Sequence, residues 1–191
     1  MLKPDKCNDR GEIADLRHEF EVAKDLRHPN IIRIYSMETQ YQAPFLVIEL
    51  YSALNLKQVL REGPEAIAHI AEKIIHQATH GLHYMHEKGW IHCDIKPDNF
   101  LVNEHGVVKL IDFAIAQKVK RGLGRLFAGR GKIQGTRSYM SPEQIRGEAV
   151  DARSDLFALG ITLYELATAQ RPFGRATAAD ISSATLRDTP H

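Results

Sequence analysis

Cysteine is scarce in this chain, which excludes a domain held together by disulfide bonds. Of the 191 residues only Cys7 and Cys93 are cysteines, whereas small disulfide-stabilised domains carry many of them. A low cysteine content is typical of proteins in a reducing compartment. We therefore expect a cytoplasmic protein.

Long apolar runs and a strong net charge are also missing from the sequence. No apolar run approaches the roughly 20 residues that cross a bilayer, and residues 1–6 contain no hydrophobic signal core. The formal net charge is +1, so no overall field points to nucleic acid or to a membrane surface. With 43% hydrophobic and 26% charged residues, the composition is that of an ordinary globular domain.

Reactive side chains are concentrated between residues 92 and 114. The octet His92-Cys93-Asp94-Ile95-Lys96-Pro97-Asp98-Asn99 is followed, after a short interval, by Asp112-Phe113-Ala114. These residues include a candidate base, a cation and candidate magnesium ligands, which phosphoryl transfer requires. In that chemistry the protein contributes mainly positioning and charge neutralisation around the transferring oxygens.

The chemistry gives each of these side chains a predicted role. Asp94 would accept the proton of the attacking hydroxyl, and Lys96 would lie against the phosphoryl group. Asn99 and Asp112 would supply the hard oxygen ligands that Mg²⁺ prefers. The sequence between these two residues predicts a hairpin, which would bring them together.

The octet resembles the HRDxKxxN catalytic loop of protein kinases, and Asp112-Phe113-Ala114 resembles their DFG triplet. Further motifs follow in the order of that family: Glu19 upstream of His28-Pro29-Asn30-Ile31, a strand at 45–50 leading into a hinge, Gly135-Thr136, Ser141-Pro142-Glu143, residues 153–160 and Arg171-Pro172-Phe173. The resemblance covers nearly all of the chain. It implies an α+β, protein-kinase-like fold with a partial small N-terminal lobe at 1–50 and a mainly helical C-terminal lobe at 51–191.

The same resemblance implies a serine/threonine protein kinase that uses ATP and Mg²⁺ and acts on a protein substrate. Serine/threonine kinases carry the DxKPxN form that residues 94–99 show. Thr136 matches the family's threonine that bridges the catalytic aspartate and lysine. Residues 139–144 together with 151–155 are similar to bacterial kinases. Asp94, Lys96 and Asn99 would then be catalytic, with Asn99 and Asp112 as metal ligands.

Nucleotide binding is implied for residues on both sides of the octet. Glu19 corresponds to the glutamate of the family's helix αC. Adenine would be recognised by the backbone of the hinge near Glu49 and Tyr51. Leu101 and Asp112 would also line the nucleotide site.

Parts of the family pattern are expected to lie outside these 191 residues. The Gly-rich loop and the lysine that pairs with the αC glutamate would fall at or before residue 1, and Lys3 is the only nearby substitute. The later helices of the C-terminal lobe would follow the last residue. The resemblance thus describes a fragment, and we expect little activity from it alone.

The chain also departs from the family pattern within the site. Cys93 replaces the arginine that in many kinases binds an activation-loop phosphate through charge-assisted hydrogen bonds, and residues 114–135 contain no Ser, Thr or Tyr. We therefore hypothesise that the parent enzyme is not activated by phosphorylation of this loop. Ala114 replaces a glycine and should make the triplet flip less readily.

Two other functions are compatible with parts of the sequence. A pseudokinase or interaction module would bind partners without phosphotransfer. A metal-binding helical protein is suggested only by the spacing of four histidines, His69, His76, His80 and His83, and a solvated stripe is the favoured interpretation. The basic residues from Lys118 to Lys132 indicate either a solvated loop or a docking surface for an acidic partner.

Structural roles are expected for two residues of the octet and for Asp155. His92 should pack against Phe113, as in the family, rather than act as a base. Cys93 should be a small buried side chain, since no histidine pairing that would activate it is visible. Asp155 should lie at the start of a helix and, by resemblance, hydrogen-bond the catalytic-loop backbone.

Periodicity predicts the secondary structure. Helices are expected at about 12–27, ended by Pro29, from Ile67 to a stop near Gly89, at 152–168 and at 176–186. Strands are expected at 31–35, 45–50, 100–102 and 107–111, with a turn at 103–106 joining the last two.

Overall fold

The computed structural model describes residues 9–41, 43–63, 65–119, 134–173 and 177–188. The helices are α1 (Arg10–Ala23), α2 (Leu56–Leu60), α3 (Glu65–Ala68), α4 (Ala71–Glu87), α5 (Pro142–Arg146), α6 (Ala152–Thr168) and α7 (Ala178–Arg187). The strands are β1 (Ile34–Gln40), β2 (Ala43–Ile48), β3 (Leu54–Asn55), β4 (Trp90–Ile91), β5 (Phe100–Val102), β6 (Val108–Leu110) and β7 (Gln117–Lys118). The predicted α+β class is confirmed. Among the described residues, no helix is both long and apolar enough to cross a bilayer.

Helix α1 begins and ends earlier than predicted. It begins after Asp9, whose carboxylate accepts hydrogen bonds from the first backbone N–H groups, that of Gly11 at 2.7 Å among them. It ends at Ala23 rather than near residue 27, because the Leu26 N–H turns back to the Ala23 carbonyl at 3.0 Å. This turn places Leu26 in the core, where it is 2% exposed. Pro29 therefore does not set the end of the helix.

Strands β1 and β2 form an antiparallel pair with shifted bounds. The register runs from Ile34 opposite Ile48 to Gln40 opposite Ala43. The predicted strand at 31–35 is wrong at both ends. Ile31 lies before the strand and makes an isolated parallel bridge to β6. Strand β1 continues through residues 36–40, which are polar except for Met37, because their pairing with β2 extends it.

The predicted hairpin is confirmed as β5 and β6, with β3 added on its outer side. Phe100 lies opposite Leu110 and Val102 opposite Val108, while Leu54 pairs with Val102. The turn is stabilised by its own first residue, because Asn103 Oδ1 accepts hydrogen bonds from the backbone N–H groups of His105 and Val107, at 3.0 and 2.9 Å. Phe100 and Leu110 are fully buried, so the hairpin is fixed in the core.

Two long helices enclose this hairpin. The helix predicted from Ile67 onward is instead divided into α3 and α4 by a turn at 69–70, which nothing in the local sequence marks. Helix α4 ends at Glu87, and Gly89 follows with a φ of 79°. Helix α6 matches its prediction of 152–168 and is buried on several faces. Helix α7 covers the predicted 176–186 from Ala178 on, and residue 176 lies outside the described residues.

Candidate active site

The carboxylate of Asp94 is held on both of its oxygens. Oδ1 accepts hydrogen bonds from the backbone N–H and the hydroxyl of Thr136, at 2.9 and 3.0 Å. Oδ2 forms an ion pair with Lys96 Nζ at 2.5 Å, and Lys96 also donates to the Thr136 hydroxyl at 2.9 Å. The predicted bridging position of Thr136 is confirmed, and the three side chains form one closed network.

This network decides the protonation of Asp94. Burial alone would raise the pKa of the carboxyl, since it penalises the charged form. The hydrogen bond and positive charge of Lys96, together with the two hydrogen bonds from Thr136, outweigh burial and lower the pKa of Asp94 below its usual value. The carboxylate is therefore charged at neutral pH and is an acceptor only.

Asn99 and Asp112 lie side by side, as the hairpin predicted. The Ile111 N–H donates to the Asn99 carbonyl at 3.0 Å, which puts the next residue, Asp112, beside Asn99. The amide nitrogen of Asn99 donates to the Asp94 carbonyl at 2.8 Å. The side-chain oxygen of Asn99 is therefore the atom that would bind a cation. A carboxylate and an amide oxygen fit Mg²⁺, which prefers such ligands and keeps several waters.

The triplet after β6 carries its unusual backbone at Asp112 rather than at Ala114. Asp112 has a φ of 69°, in the left-handed region that aspartate tolerates better than most residues. Ala114 is not among the described residues with positive φ. Alanine at this position therefore carries no strain in the conformation observed.

His92 and Phe113 pack together as predicted. Both are fully buried, and their rings meet edge to face with centroids 5.6 Å apart. The ring nitrogen His92 Nε2 lies 3.0 Å from the carbonyl oxygen of Ile111. His92 thus joins the octet to the segment that carries Asp112, which is a structural role.

Glu19 reaches the same triplet from α1. Its carboxylate accepts a hydrogen bond from the Phe113 backbone N–H at 3.3 Å. Burial and the negative charge of Asp112 raise the pKa of Glu19, and the hydrogen bond from Phe113 offsets only part of this. Because burial and Asp112 disfavour the negative charge of Glu19, a nearby cation would stabilise its carboxylate.

Asp155 holds the start of the octet, as the resemblance implied. The side chain is 1% exposed and accepts hydrogen bonds from the backbone N–H groups of His92 and Cys93, each at 2.8 Å. It lies in the first turn of α6, whose N-terminal cap is Asp151. His86 Nε2 completes the set at 2.8 Å from Asp155, a contact that the sequence did not indicate.

Cys93 is a buried side chain, as expected. It is 5% exposed, and its thiol lies 3.6 Å from the Ile91 carbonyl oxygen. Burial, reinforced by the negative charge of Asp155, strongly raises the pKa of Cys93. The thiol therefore stays protonated, and a protonated thiol is a poor nucleophile.

Three of the residues predicted to line the nucleotide site lie around Lys109. Glu49 forms an ion pair with Lys109 Nζ at 2.9 Å, and the Lys109 ammonium lies over the Tyr51 ring at 5.3 Å from its centroid. Leu101 is paired with Lys109 across β5 and β6. These residues are brought together, and their role toward the nucleotide stays a prediction.

The comparison with known proteins agrees with this geometry. The family model described as protein kinase domain matches residues 2–190. The chain belongs to the protein kinase family. It is 33% identical over 182 residues to the probable serine/threonine-protein kinase PknB of Bifidobacterium longum, an alignment covering 91% of this chain and 26% of that protein.

Other kinases give the same result. The chain is 33% identical to serine/threonine-protein kinase PknB of Mycobacterium tuberculosis over 100% of its own length and 31% of the relative's. Its identity to PknB of Mycolicibacterium smegmatis is 36%, over 91% of this chain and 28% of that one. The chain thus spans less than a third of the length of these relatives. All three are bacterial, as the resemblance of residues 139–144 and 151–155 indicated.

Several contacts of this kinase domain were not predicted. Glu165 of α6 is buried between Lys57, at 2.6 Å, and the hydroxyl of Tyr139, at 2.5 Å. The side chain of Gln144 donates a hydrogen bond to the Cys93 carbonyl of the octet. The Ser-x-x-Gln pattern at 141–144 is a capping-box signal and predicts the start of α5, but it does not predict that contact.

The histidine stripe, Lys3 and the basic residues from 120 to 132 contribute no described contact to this site. The four histidines of the stripe are all exposed, with the His76 and His80 rings 4.0 Å apart. The part of the chain that the structure describes holds no group of three or more His, Cys, Asp or Glu side chains placed to bind a metal. Lys3 and the basic residues from 120 to 132 lie outside the described residues.

Proposed function

We propose that the protein transfers the γ-phosphate of ATP to serine and threonine hydroxyls of protein substrates. Asp94 accepts the proton of the attacking hydroxyl, and Lys96 stabilises the charge that builds on the phosphoryl oxygens. Asn99 and Asp112 hold Mg²⁺, which supplies charge neutralisation at the phosphates when bound. Adenine lies against the hinge at Glu49 and Tyr51, with Leu101 below it.

The observation that carries this proposal is the two-sided hold on the Asp94 carboxylate. Thr136 fixes one oxygen and Lys96 the other, so the carboxylate is oriented before a substrate arrives. Such prepositioning supports a base that acts at a fixed point in space. The same network puts an ammonium group next to the base, where a phosphoryl group would need it.

The serine/threonine specificity rests on the residues of that network and on the relatives. Lys96 and Thr136 are the pair implied for serine/threonine kinases, and the relatives carry that name. We also propose that this domain works in the cytoplasm. The buried, protonated thiol of Cys93 and the low cysteine content support a reducing compartment.

Transfer of radiolabelled phosphate from ATP and Mg²⁺ to a generic protein substrate tests the proposal. We expect labelled phosphoserine and phosphothreonine from the native full-length protein, and a loss of at least about 100-fold in Asp94→Asn. Asp98→Asn is the matched control, because Asp98 is an exposed neighbour in the same loop. Binding of ATP and Mg²⁺ without any transfer would contradict the proposal and favour a pseudokinase.

A further inference from the structure

A buried glutamine connects α5 to the residue that precedes Asp94. Gln144 is 8% exposed, and its amide nitrogen donates to the Cys93 carbonyl at 2.8 Å. The amide oxygen of Gln144 accepts a hydrogen bond from the Ser141 backbone N–H at 3.0 Å. Ser141 is itself fully buried, so water does not compete for these groups.

The partners fix which way the Gln144 amide faces. The Ser141 N–H can only donate and the Cys93 carbonyl can only accept. Rotating the amide by half a turn would place two donors together at Ser141 and two acceptors together at Cys93. Only one orientation therefore satisfies both, and Gln144 acts as a donor toward the octet.

The carbonyl that Gln144 holds belongs to the peptide unit that joins Cys93 to Asp94. This unit is planar, so fixing its oxygen fixes the plane from which the Asp94 Cα emerges. On the other side, the Cys93 N–H donates to Asp155 at 2.8 Å. Cys93 has a φ of 69°, an uncommon conformation for a residue other than glycine, and the two contacts hold it there.

The surroundings of the Cys93 carbonyl leave little room for another arrangement. A Cβ built on Gly135 would lie 3.0 Å from this oxygen, and Gly135 has a φ of 112°, which favours glycine. The residue after it is Thr136, which holds the other side of Asp94. The backbone before Asp94 and the segment that binds its carboxylate are therefore packed against each other.

We propose that Gln144 is a positioning residue for Asp94, acting through the Cys93 carbonyl and without a phosphate. The contact is between uncharged groups and is present in the unmodified chain, whereas Cys93 offers no charge to an activation-loop phosphate. Gln144 thereby connects α5, which follows Thr136 in the chain, to the octet. This inference rests on the proposed phosphotransfer function, because Asp94 is the base of that reaction.

Two substitutions at Gln144 separate positioning from simple packing. Gln144→Glu keeps the shape and the acceptor for Ser141 but, when ionised, loses the donor to Cys93. Gln144→Met keeps approximate size and loses both. At pH 8 we expect kcat to fall by about 10-fold in each variant, with KM for ATP within about 2-fold of native, because Gln144 does not contact Asn99 or Asp112.

The pH profile gives a result that a packing defect would not produce. Burial raises the pKa of a carboxyl, so Gln144→Glu takes up a proton at this position as the pH is lowered to 6 and then donates to the Cys93 carbonyl. The kcat of Gln144→Glu, relative to native at each pH, should therefore recover, while that of Gln144→Met stays low. Gln170→Glu, the same change on an exposed residue, should match native at every pH.

Amide hydrogen exchange measured by mass spectrometry provides a readout that does not depend on activity. We expect faster exchange at residues 92–96 in both variants and not in Gln170→Glu. Native kcat in both variants, or a loss in Gln144→Glu that does not recover at pH 6, would overturn the proposal. If the native protein transfers no phosphate, the proposed function fails. Unchanged exchange at 92–96 in the variants would separately refute the positioning of the octet by Gln144. Thermal melting shows that folded proteins are compared, and Gln144→Glu decides if Gln144→Met does not fold.

Discussion

Replacing Asp155 by asparagine should destabilise the protein through the start of the catalytic loop. The native carboxylate accepts from the N–H groups of His92 and Cys93 on different oxygens, each at 2.8 Å. Asparagine has one acceptor oxygen and one NH₂ group. One of the two backbone N–H groups would therefore face a donor instead of an acceptor.

The magnitude follows from the burial of this site. Asp155 is 1% exposed and His92 is fully buried, so water cannot replace the lost acceptor. A buried donor without a partner costs about 1–3 kcal/mol, and the remaining hydrogen bond loses its charge assistance. We expect a total loss of about 3 kcal/mol in the free energy of unfolding, which is a large share of the about 5–15 kcal/mol typical of a domain.

Urea denaturation followed by circular dichroism measures this loss. With an m-value of about 2–3 kcal/mol/M, the midpoint of Asp155→Asn should lie about 1 M lower than native. Asp151→Asn is the matched control on the same helix. Asparagine caps a helix as well as aspartate does, so its midpoint should move by less than about 0.3 M.

Equal midpoints for the two variants would refute this reasoning. The backbone contacts of Asp155 would then not be what holds the loop, and the buried carboxylate would be replaceable by any side chain of the same shape. A loss for Asp155→Asn with no loss of phosphotransfer would separately show that the loop tolerates the change.

Three further predictions concern α1 and the segment after the triplet. His18 Nε2 lies 2.7 Å from the Ala116 carbonyl oxygen, so His18→Ala should lower the free energy of unfolding by about 1–2 kcal/mol, and His18→Gln, which keeps a donor, should lower it less in thermal melts. The raised pKa of Glu19 means that the folded state binds its proton more tightly than the unfolded chain. Native stability relative to Glu19→Gln should therefore be lowest at pH 7 and should increase as the pH falls through the folded pKa, measured by urea midpoints; no change in that difference would contradict the assignment. Mass spectrometry of the active protein should find no activity-dependent phosphate at 114–136, whereas a stoichiometric one would disprove the loop hypothesis.

Local sequence chemistry predicted the parts of the fold that depend on it. The hairpin needed only two apolar runs and a turn in which Asn103 satisfies the backbone, and both strands appeared within a residue of their expected bounds. Helix α6 has a cap at Asp151 and apolar residues on most faces, and its ends were also correct. Such elements carry their signals within their own residues.

Other boundaries depend on the tertiary structure. Helix α1 stops at Ala23 because Leu26 has to enter the core, and the proline that suggested a later end lies beyond the turn. Strand β1 extends through residues 36–40 because β2 supplies the hydrogen bonds. The apolar periodicity of one segment carries no information about the packing contacts and hydrogen bonds that another segment provides.

The same distinction applies to the site. The motif placed Asp94, Lys96 and Thr136 together, and their network is as expected. The glutamine that holds the Cys93 carbonyl comes from 51 residues further along the chain, and the patterns at 139–144 to which it belongs do not predict this contact. A contact of this kind follows from the packing of α5 against the octet, and sequence spacing does not reveal it.

The buried thiol of Cys93 can also be used to measure local opening of this domain. The sulfur belongs to the residue before Asp94 and is both buried and protonated, so an alkylating reagent reaches it only when the surroundings of the loop open. Since Cys93 is the free cysteine among the described residues, the rate of alkylation at this position measures how often the loop opens. Ligands that close the site should slow that rate in proportion to how firmly they hold the loop.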